Sequence, residues 1–487
     1  MGYSSVLLEL QSIRFILTLT DRLPYYPASL CARSVRLRCD RARTSPASQL
    51  ILGIFGQPIS VFSLFYKSML PALIVALLLR LAAGVWWQDR LPDDQRFGFP
   101  DSESYWVLAE RIADGEPYAL NPDRRVFRTP GYPVLLAPLF VAADGQPPVL
   151  WGRFLGAVLG TAAVAAAGAL AWVLFGRQSG VLAAWAAALY PEAVAMSTFV
   201  LSEAPFVPLI LLQLLLATLA WRSDEPARQS RWAGLAGLTA GAATLMRPSW
   251  LLFTPLALMV ACLDAPQRRR ALRIGAWMLL GLTLAMAPWW IRNAWVTGHF
   301  VPTTLQVGES LYDGWNPQAT GASDMQFVEE FRQRLRQEDA ALGAADRALD
   351  RTFEQRLDQR MRDAAWRWAV AHPMDALRLA GVKFLRIWNV WPNEPSLRSW
   401  QFGLLVLVGY VPLLVVGVYG AWRWASAGWP YQLCFLPALY FTALHMIFVG
   451  SIRYRQPAMV ALLVLAAGVV GTWWSRRGPP SQEGSCR

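Results

Sequence analysis

The chain has 487 residues, 55% of them hydrophobic and only 16% charged, and a formal net charge of +12. A chain this apolar, with its apolar residues in long charge-free runs, does not fold around one water-soluble core and reads as a polytopic membrane protein. The excess arginine lies in short loops between those runs, where it signals topology, so nucleic acid is not an expected partner.

Residues 1–66 are Arg-rich and lack the compact apolar run and small-residue cleavage site of a signal peptide. They read as a basic, poorly structured cytoplasmic extension, or as sequence upstream of a true start at Met69. The first convincing span covers residues 69–88, and further spans are expected near 149–175, 180–200, 201–221, 232–246, 249–264, 272–290, 401–423, 429–450 and 457–474. The fifth and sixth are short and could form a hairpin that crosses incompletely, with Arg247 at its tip. If the spans alternate, Lys67, Arg177, the Arg222/Arg228/Arg231 loop, the Arg268–Arg273 run, Arg423, Arg476 and Arg477 share one side, which the positive-inside rule makes the cytoplasm.

The opposite side then receives the acidic loop 89–148, the turn around residues 191–202, Arg247, the stretch 291–400 and the short loop 450–456. Arg247, Arg453 and Arg455 break the charge bias there, and binding an anion is the simplest reason for them. The expected organisation is thus an extension (1–66), a transmembrane module (67–290), an outer helical segment (291–400), C-terminal spans (401–474) and a cytoplasmic tail (475–487). Within the outer segment, residues 324–371 carry mixed charges at helical spacing, with Gly343 separating two helices and Pro373 ending the second. That section reads as a solvated cap and is assigned no chemistry.

Asp101 follows Pro100 and opens a helical pattern with Tyr105, Leu108, Ala109 and Ile112 on one face, an N-cap-like position. Glu103, Glu110 and Tyr105 lie within a turn or two of it, and a carboxylate partly desolvated at an interface can serve as a general base. The five cysteines and three histidines are scattered, so neither a disulfide framework nor a His-rich zinc centre is expected. Nucleotide-binding loops and a Ser-His-Asp order are absent as well.

A first span, an outer loop with Asp101 and Tyr105, and then Arg128-Thr129-Pro130-Gly131-Tyr132-Pro133, followed by LMRPSW, APWWIRNAWVTGHFVPTTL and RYRQP, resemble the GT-C superfamily of polyprenyl-phosphate-sugar glycosyltransferases. The likeness is to the bacterial relatives of protein O-mannosyltransferases and aminoarabinose transferases, and it covers residues 69–474. It implies an all-α GT-C-like bundle of about ten to twelve spans, with a large first extracytoplasmic loop and a later extracytoplasmic helical segment, in the inner (plasma) membrane. It further implies sugar transfer from a polyprenyl-phosphate donor to a lipid, glycan or protein acceptor, with inversion. Asp101 matches the family's catalytic base, and Glu203 in LSEAPFVPL matches a second acidic position where relatives often carry Asp. Glu192 competes for that second role.

Substrate contacts would fall to Glu103, Tyr105, Arg128, Arg247, Arg292 and Arg453, planar arginines suiting a phosphodiester at the membrane edge. A divalent cation, if one is used, would sit on Asp101 and Glu203. Arg80 and Arg153 are weaker candidates that could snorkel, and Trp289, Trp290 and Trp315 are candidate sugar platforms. The competing class is a transporter or flippase of a lipid-linked or anionic solute, since intramembrane arginines and broken spans also mark substrate pathways. A scaffold of an envelope assembly is a third reading.

Overall fold

A computed structural model describes residues 60–92, 95–341, 351–390 and 399–477. Most of the expected extension, Gly343 and the last ten residues of the tail lie outside the described residues. Among those described the chain is helical, with no β-strand beyond an isolated bridge between Asn121 and Arg124.

In chain order the helices are α1 (Ser60–Gln88), α2 (Pro100–Ala113), α3 (Gly131–Ala142), α4 (Val149–Phe175), α5 (Arg177–Leu189), α6 (Pro191–Thr198), α7 (Glu203–Arg222), α8 (Pro226–Met246) and α9 (Phe253–Leu263). They continue with α10 (Arg268–Thr297), α11 (Val307–Gly314), α12 (Phe327–Ala341), α13 (Phe353–Ala371), α14 (Pro373–Trp388), α15 (Trp400–Trp424), α16 (Trp429–Ile447) and α17 (Ile452–Arg477). Six of the described helices are long and apolar enough to cross a membrane, and a seventh span arises if α5 and α6, bent by 56° at Pro191, count as one.

The other three expected spans are also helical, but α8 opens on charged residues, α9 is only 11 residues long, and α16 carries Gln432, His445 and two prolines. All three pack into the same bundle, with α8 against α7 and α10, α9 against α10, and α16 against α17. Small residues permit the closest of these contacts. A Cβ on Gly237 of α8 would lie 2.0 Å from the Met278 carbonyl oxygen of α10, and one on Gly281 of α10 would lie 2.3 Å from that of Gly234.

The break between α5 and α6 leaves carbonyls without helical partners inside an apolar bundle. Arg80 of α1, 1% exposed, satisfies them: its guanidinium donates to the Ala187 and Ala188 carbonyls at 3.0 and 3.1 Å and to Ser197 Oγ at 3.2 Å. Arg153 does the same at the end of α6, donating to the Thr198 carbonyl, the Arg96 carbonyl and Gln88, each at 2.8 Å. Neither side chain snorkels. Both are buried and spend their donors on helix ends.

The outer segment 291–400 contains α11 to α14. Helices α12 and α13 share a small core of Val328, Leu335, Leu357 and Met361, flanked by Tyr312, Phe327, Phe331 and Phe353. A capping box between Thr352 and Gln355 starts α13, and Pro373 follows its end by opening α14. The segment is tied to the first outer loop by buried carboxylates. Glu354 accepts from the backbone N–H groups of Arg125 (2.8 Å) and Val126, and Glu309 pairs with Arg124 at 2.8 Å, while Asp358 joins α13 to α11 within the segment by accepting from the Gly308 N–H at 2.6 Å.

Candidate active site

Five side chains from four separate stretches meet at one end of the bundle. Asp101 sits in the first turn of α2. Phe99 is the N-cap residue, Pro100 takes the first helical position, and the Asp101 carboxylate caps nothing. Proline at that position already fixes the helical φ, which frees the aspartate for other partners. Its Oδ1 accepts from Arg128 Nη2 at 2.7 Å and its Oδ2 from Arg453 Nη1 at 3.2 Å.

Glu203 opens α7 and is buried, 1% exposed. It pairs with Arg247 Nη1 at 2.6 Å and with Arg453 through both Nε and Nη2. Arg453 therefore bridges the two carboxylates. It lies in the first turn of α17, where the positive end of the helix dipole disfavours a cation, and the two acids offset that cost.

Local sequence explains the geometry. Pro248 holds Arg247 extended (φ −139°, ψ 111°), which ends α8 and turns the side chain toward Glu203. Gly131 lets the start of α3 rest on the end of α8: a Cβ there would lie 2.7 Å from the Leu245 carbonyl oxygen. That contact sets the RTPGYP loop beside Arg247. Arg128 is then held at all three nitrogens, by Asp101, by Ser104 Oγ at 3.1 Å and by Gln306 Oε1 at 3.2 Å, with the Tyr105 ring 5.1 Å from its centre. Tyr105 donates to Ser202 Oγ at 3.2 Å, and Tyr454 lies beside both Arg247 and Arg453.

Burial on its own would raise the Asp101 carboxyl, but the Arg128 and Arg453 guanidiniums reverse this and hold it well below the usual carboxylate range. The Arg128 guanidinium loses to burial and gains more from Tyr105 and Asp101, so it is held firmly protonated.

The cluster opens into a cavity of about 1730 Å³. Asp101, Tyr105, Arg128, Ser202, Arg247 and Arg453 line its charged end, with His445, Tyr454 and Gln456 beside them. Arg124, Glu309, Asp313 and Arg332 line the wall under the outer helices. Much of the remaining wall is apolar and includes Leu79, Trp86, Leu252 and Leu405, which are 39–63% exposed. One cavity thus joins a cluster of cations to an exposed apolar wall.

The structure places the other predicted residues elsewhere. Glu103 is exposed and is not among the cavity-lining residues. Arg292 lies one layer behind the site, donating at 2.6 Å to the carbonyl of Tyr118, whose hydroxyl in turn donates to the Arg128 and Thr129 carbonyls. Glu192 does line the cavity, but it is engaged by Arg455 and by Tyr190 Oη at 2.6 Å and not by the three site arginines. Trp289 and Trp290 donate to the Thr303 and Pro302 carbonyls, Trp315 packs on Trp366, and none of the three lines the cavity. Ser104, Ser202 and Gln306 complete the cluster without any signal of their own in the sequence, being small polar residues next to the motifs.

As cation ligands, Asp101 and Glu203 are already saturated by three guanidiniums. Among the described residues no group of three or more His, Cys, Asp or Glu side chains gathers. This donor set does not suit a divalent cation.

Fold and site together define a polytopic helical membrane protein with a charged amphiphilic cavity at one end of the bundle. A family profile described as dolichyl-phosphate-mannose-protein mannosyltransferase matches residues 136–291. The helical membrane fold is shared with solved oligosaccharyltransferase structures. The archaeal oligosaccharyltransferase AglB from Archaeoglobus fulgidus, in complex with an inhibitory peptide and a dolichol-phosphate, superposes with a TM-score of 0.54 at 15% identity, covering 84% of this chain and 51% of that one. The A. fulgidus oligosaccharyltransferase in complex with Zn and sulfate gives 0.52 at 17% identity, with 83% and 50% covered. The chain therefore spans about half the length of these structures. ArnT from Cupriavidus metallidurans bound to undecaprenyl phosphate overlaps less well, with a TM-score of 0.38 at 15% identity over 87% and 82% of the two chains. No curated protein matches the sequence.

Proposed function

We propose that the chain is an integral membrane glycosyltransferase that moves a sugar from a polyprenyl-phosphate donor to a hydroxyl-bearing lipid, glycan or protein on the extracytoplasmic face. The observation that carries this reading is the single cavity with a guanidinium cluster at one end and an exposed apolar wall at the other. That shape and polarity suit an amphiphile whose anionic head meets Arg128, Arg247 and Arg453 while its tail lies along Leu79, Trp86 and Leu405. The matched family and the dolichol-phosphate in the AglB structure support the same donor class.

In the proposed reaction Asp101 takes the proton of the acceptor hydroxyl as the acceptor oxygen bonds to the anomeric carbon. The bond from that carbon to phosphate oxygen breaks on the opposite side, giving inversion. The electron pair leaves with the polyprenyl phosphate, and fixed arginines stabilise the charge that gathers there. Glu203, buried between Arg247 and Arg453, orients both guanidiniums. Phosphate is a good leaving group, so a strong general acid is unnecessary.

The test uses protein reconstituted in vesicles with a radiolabelled polyprenyl-phosphate sugar and an envelope extract as acceptor source. A labelled product containing a new glycosidic bond is expected. Movement of label across the vesicle wall without such a bond would instead establish a transporter.

A further inference from the structure

Two of the three arginines that would hold the donor phosphate also hold Asp101. Arg128 spends Nε, Nη1 and Nη2 on Ser104, Gln306 and Asp101, and Arg453 spends Nε and Nη2 on Glu203 and Nη1 on Asp101. Arg247 differs. It reaches Glu203 and Ser202 through Nη1, and among the described residues its Nε and Nη2 make no hydrogen bond. It also lines the cavity. An arriving phosphodiester therefore finds one guanidinium edge open at Arg247 and two others facing a carboxylate that, unlike buried Glu203, is 41% exposed to the cavity.

On the reading that the donor is a lipid phosphate, we propose that Asp101 is an internal competitor for its phosphate: donor binding displaces Asp101 from Arg128 and Arg453, and the displaced carboxylate becomes the base. Two oxygens that accept charge-assisted bonds from two guanidiniums have little affinity for a proton. Transferring those donors to phosphate leaves the same carboxylate beside the scissile bond with its lone pairs exposed. The base is thereby armed only when the donor is seated, so an acceptor hydroxyl that enters first meets a carboxylate still paired with two guanidiniums. Glu203 is shielded from this exchange by its burial and by its two arginine partners, so it keeps Arg247 and Arg453 in place throughout.

Competition of this kind has a signature that a purely catalytic or purely structural aspartate lacks: removing the charge should strengthen donor-head binding while abolishing turnover. The experiment measures binding of unmodified polyprenyl phosphate to the purified full chain in detergent, by quenching of tryptophan fluorescence, for wild type and for Asp101→Asn, Asp101→Ala and Asp101→Glu. Removal of the competing anion in the Asn and Ala variants should tighten binding by roughly 5- to 50-fold, in the range of ordinary site-to-site coupling. The Glu variant, which keeps the charge, should stay within about threefold of wild type, whereas a loosened fold would move all three variants in the weaker direction. Equal or weaker binding by Asp101→Asn and Asp101→Ala, with wild type binding the lipid, would overturn the competition. Absence of binding by wild type and all variants, each monodisperse, would overturn it together with the lipid-phosphate reading itself.

Discussion

Asp101, Arg128, Arg247, Arg453 and Glu203 are each ordinary on their own terms, as a helix-start acid, interfacial arginines and a span-end glutamate. Their ion pairs turn them into a site. All five could be picked out of the sequence because charge in or beside an apolar span is costly and demands a reason. The bridging role of Arg453 could not, since it depends on contacts between positions 352 and 250 residues apart. The same blindness put Asp101 at a cap, whereas Phe99 holds that place, and left Arg80 and Arg153 as snorkelling chains when they hold helix ends.

Substitutions at two positions separate the roles. Asp101→Asn should lower turnover by about 10²- to 10⁴-fold, the usual contribution of a general base, with the protein still folded and membrane-inserted. Arg453→Gln removes the cation shared by two carboxylates, each of which keeps one arginine, and should cost about 1–3 kcal/mol of stability, seen as a lower unfolding temperature in detergent. Arg453→Lys should recover part of that stability and little of the turnover, because an ammonium cannot present a planar fork to two partners at once. Equal turnover by Arg453→Lys and wild type would show that the fork geometry is dispensable.

At the scale of elements, hydropathy placed the long helices well and counted spans less well. Helix α8 begins with charged residues and is rich in glycine and alanine, so it is recognisable by packing against α10 more than by apolarity. Gly237→Ala should force α8 and α10 apart and cost about 1–3 kcal/mol, read from the same unfolding measurement. The outer helices appeared in the sequence only as a solvated cap. Their buried Glu309 and Glu354 reach back to the loop that carries Arg128, contacts invisible in a helical charge pattern.

Burial raises the Glu354 carboxyl from 4.5 to about 7, against the pull of the Val126 and Arg125 N–H groups. A raised acid binds its proton more tightly in the folded chain, so its contribution to stability is full below about 4.5 and is lost as pH rises through about 7. The unfolding temperature of wild type should therefore fall across that interval relative to Glu354→Gln, which cannot titrate. Parallel curves for the two proteins would contradict the assignment.

For the whole molecule, the orientation proposed from the arginine bias turns the site away from the cytoplasm. In a background without native cysteines, an impermeant thiol reagent applied to intact cells should label Glu116→Cys in the first outer loop and should leave Asp224→Cys unlabelled until the cells are broken. Both positions are exposed, so access depends on side and not on burial. Labelling of the two in the opposite order would invert the topology and remove the site from the outer face.

The polytopic helical fold could be read from the long apolar runs along the chain. The cavity wall of Arg124, Glu309 and Arg332 could not, because it is assembled from segments whose sequences carry no common pattern. The most direct test of the account is transfer by the purified protein from a radiolabelled polyprenyl-phosphate sugar, with wild type and Asp101→Asn compared at equal, saturating donor. Wild type is predicted to form a glycosylated product of inverted anomeric configuration, and Asp101→Asn to bind the donor and form almost none. Product at near wild-type rate from Asp101→Asn, or retention of configuration, would contradict the mechanism.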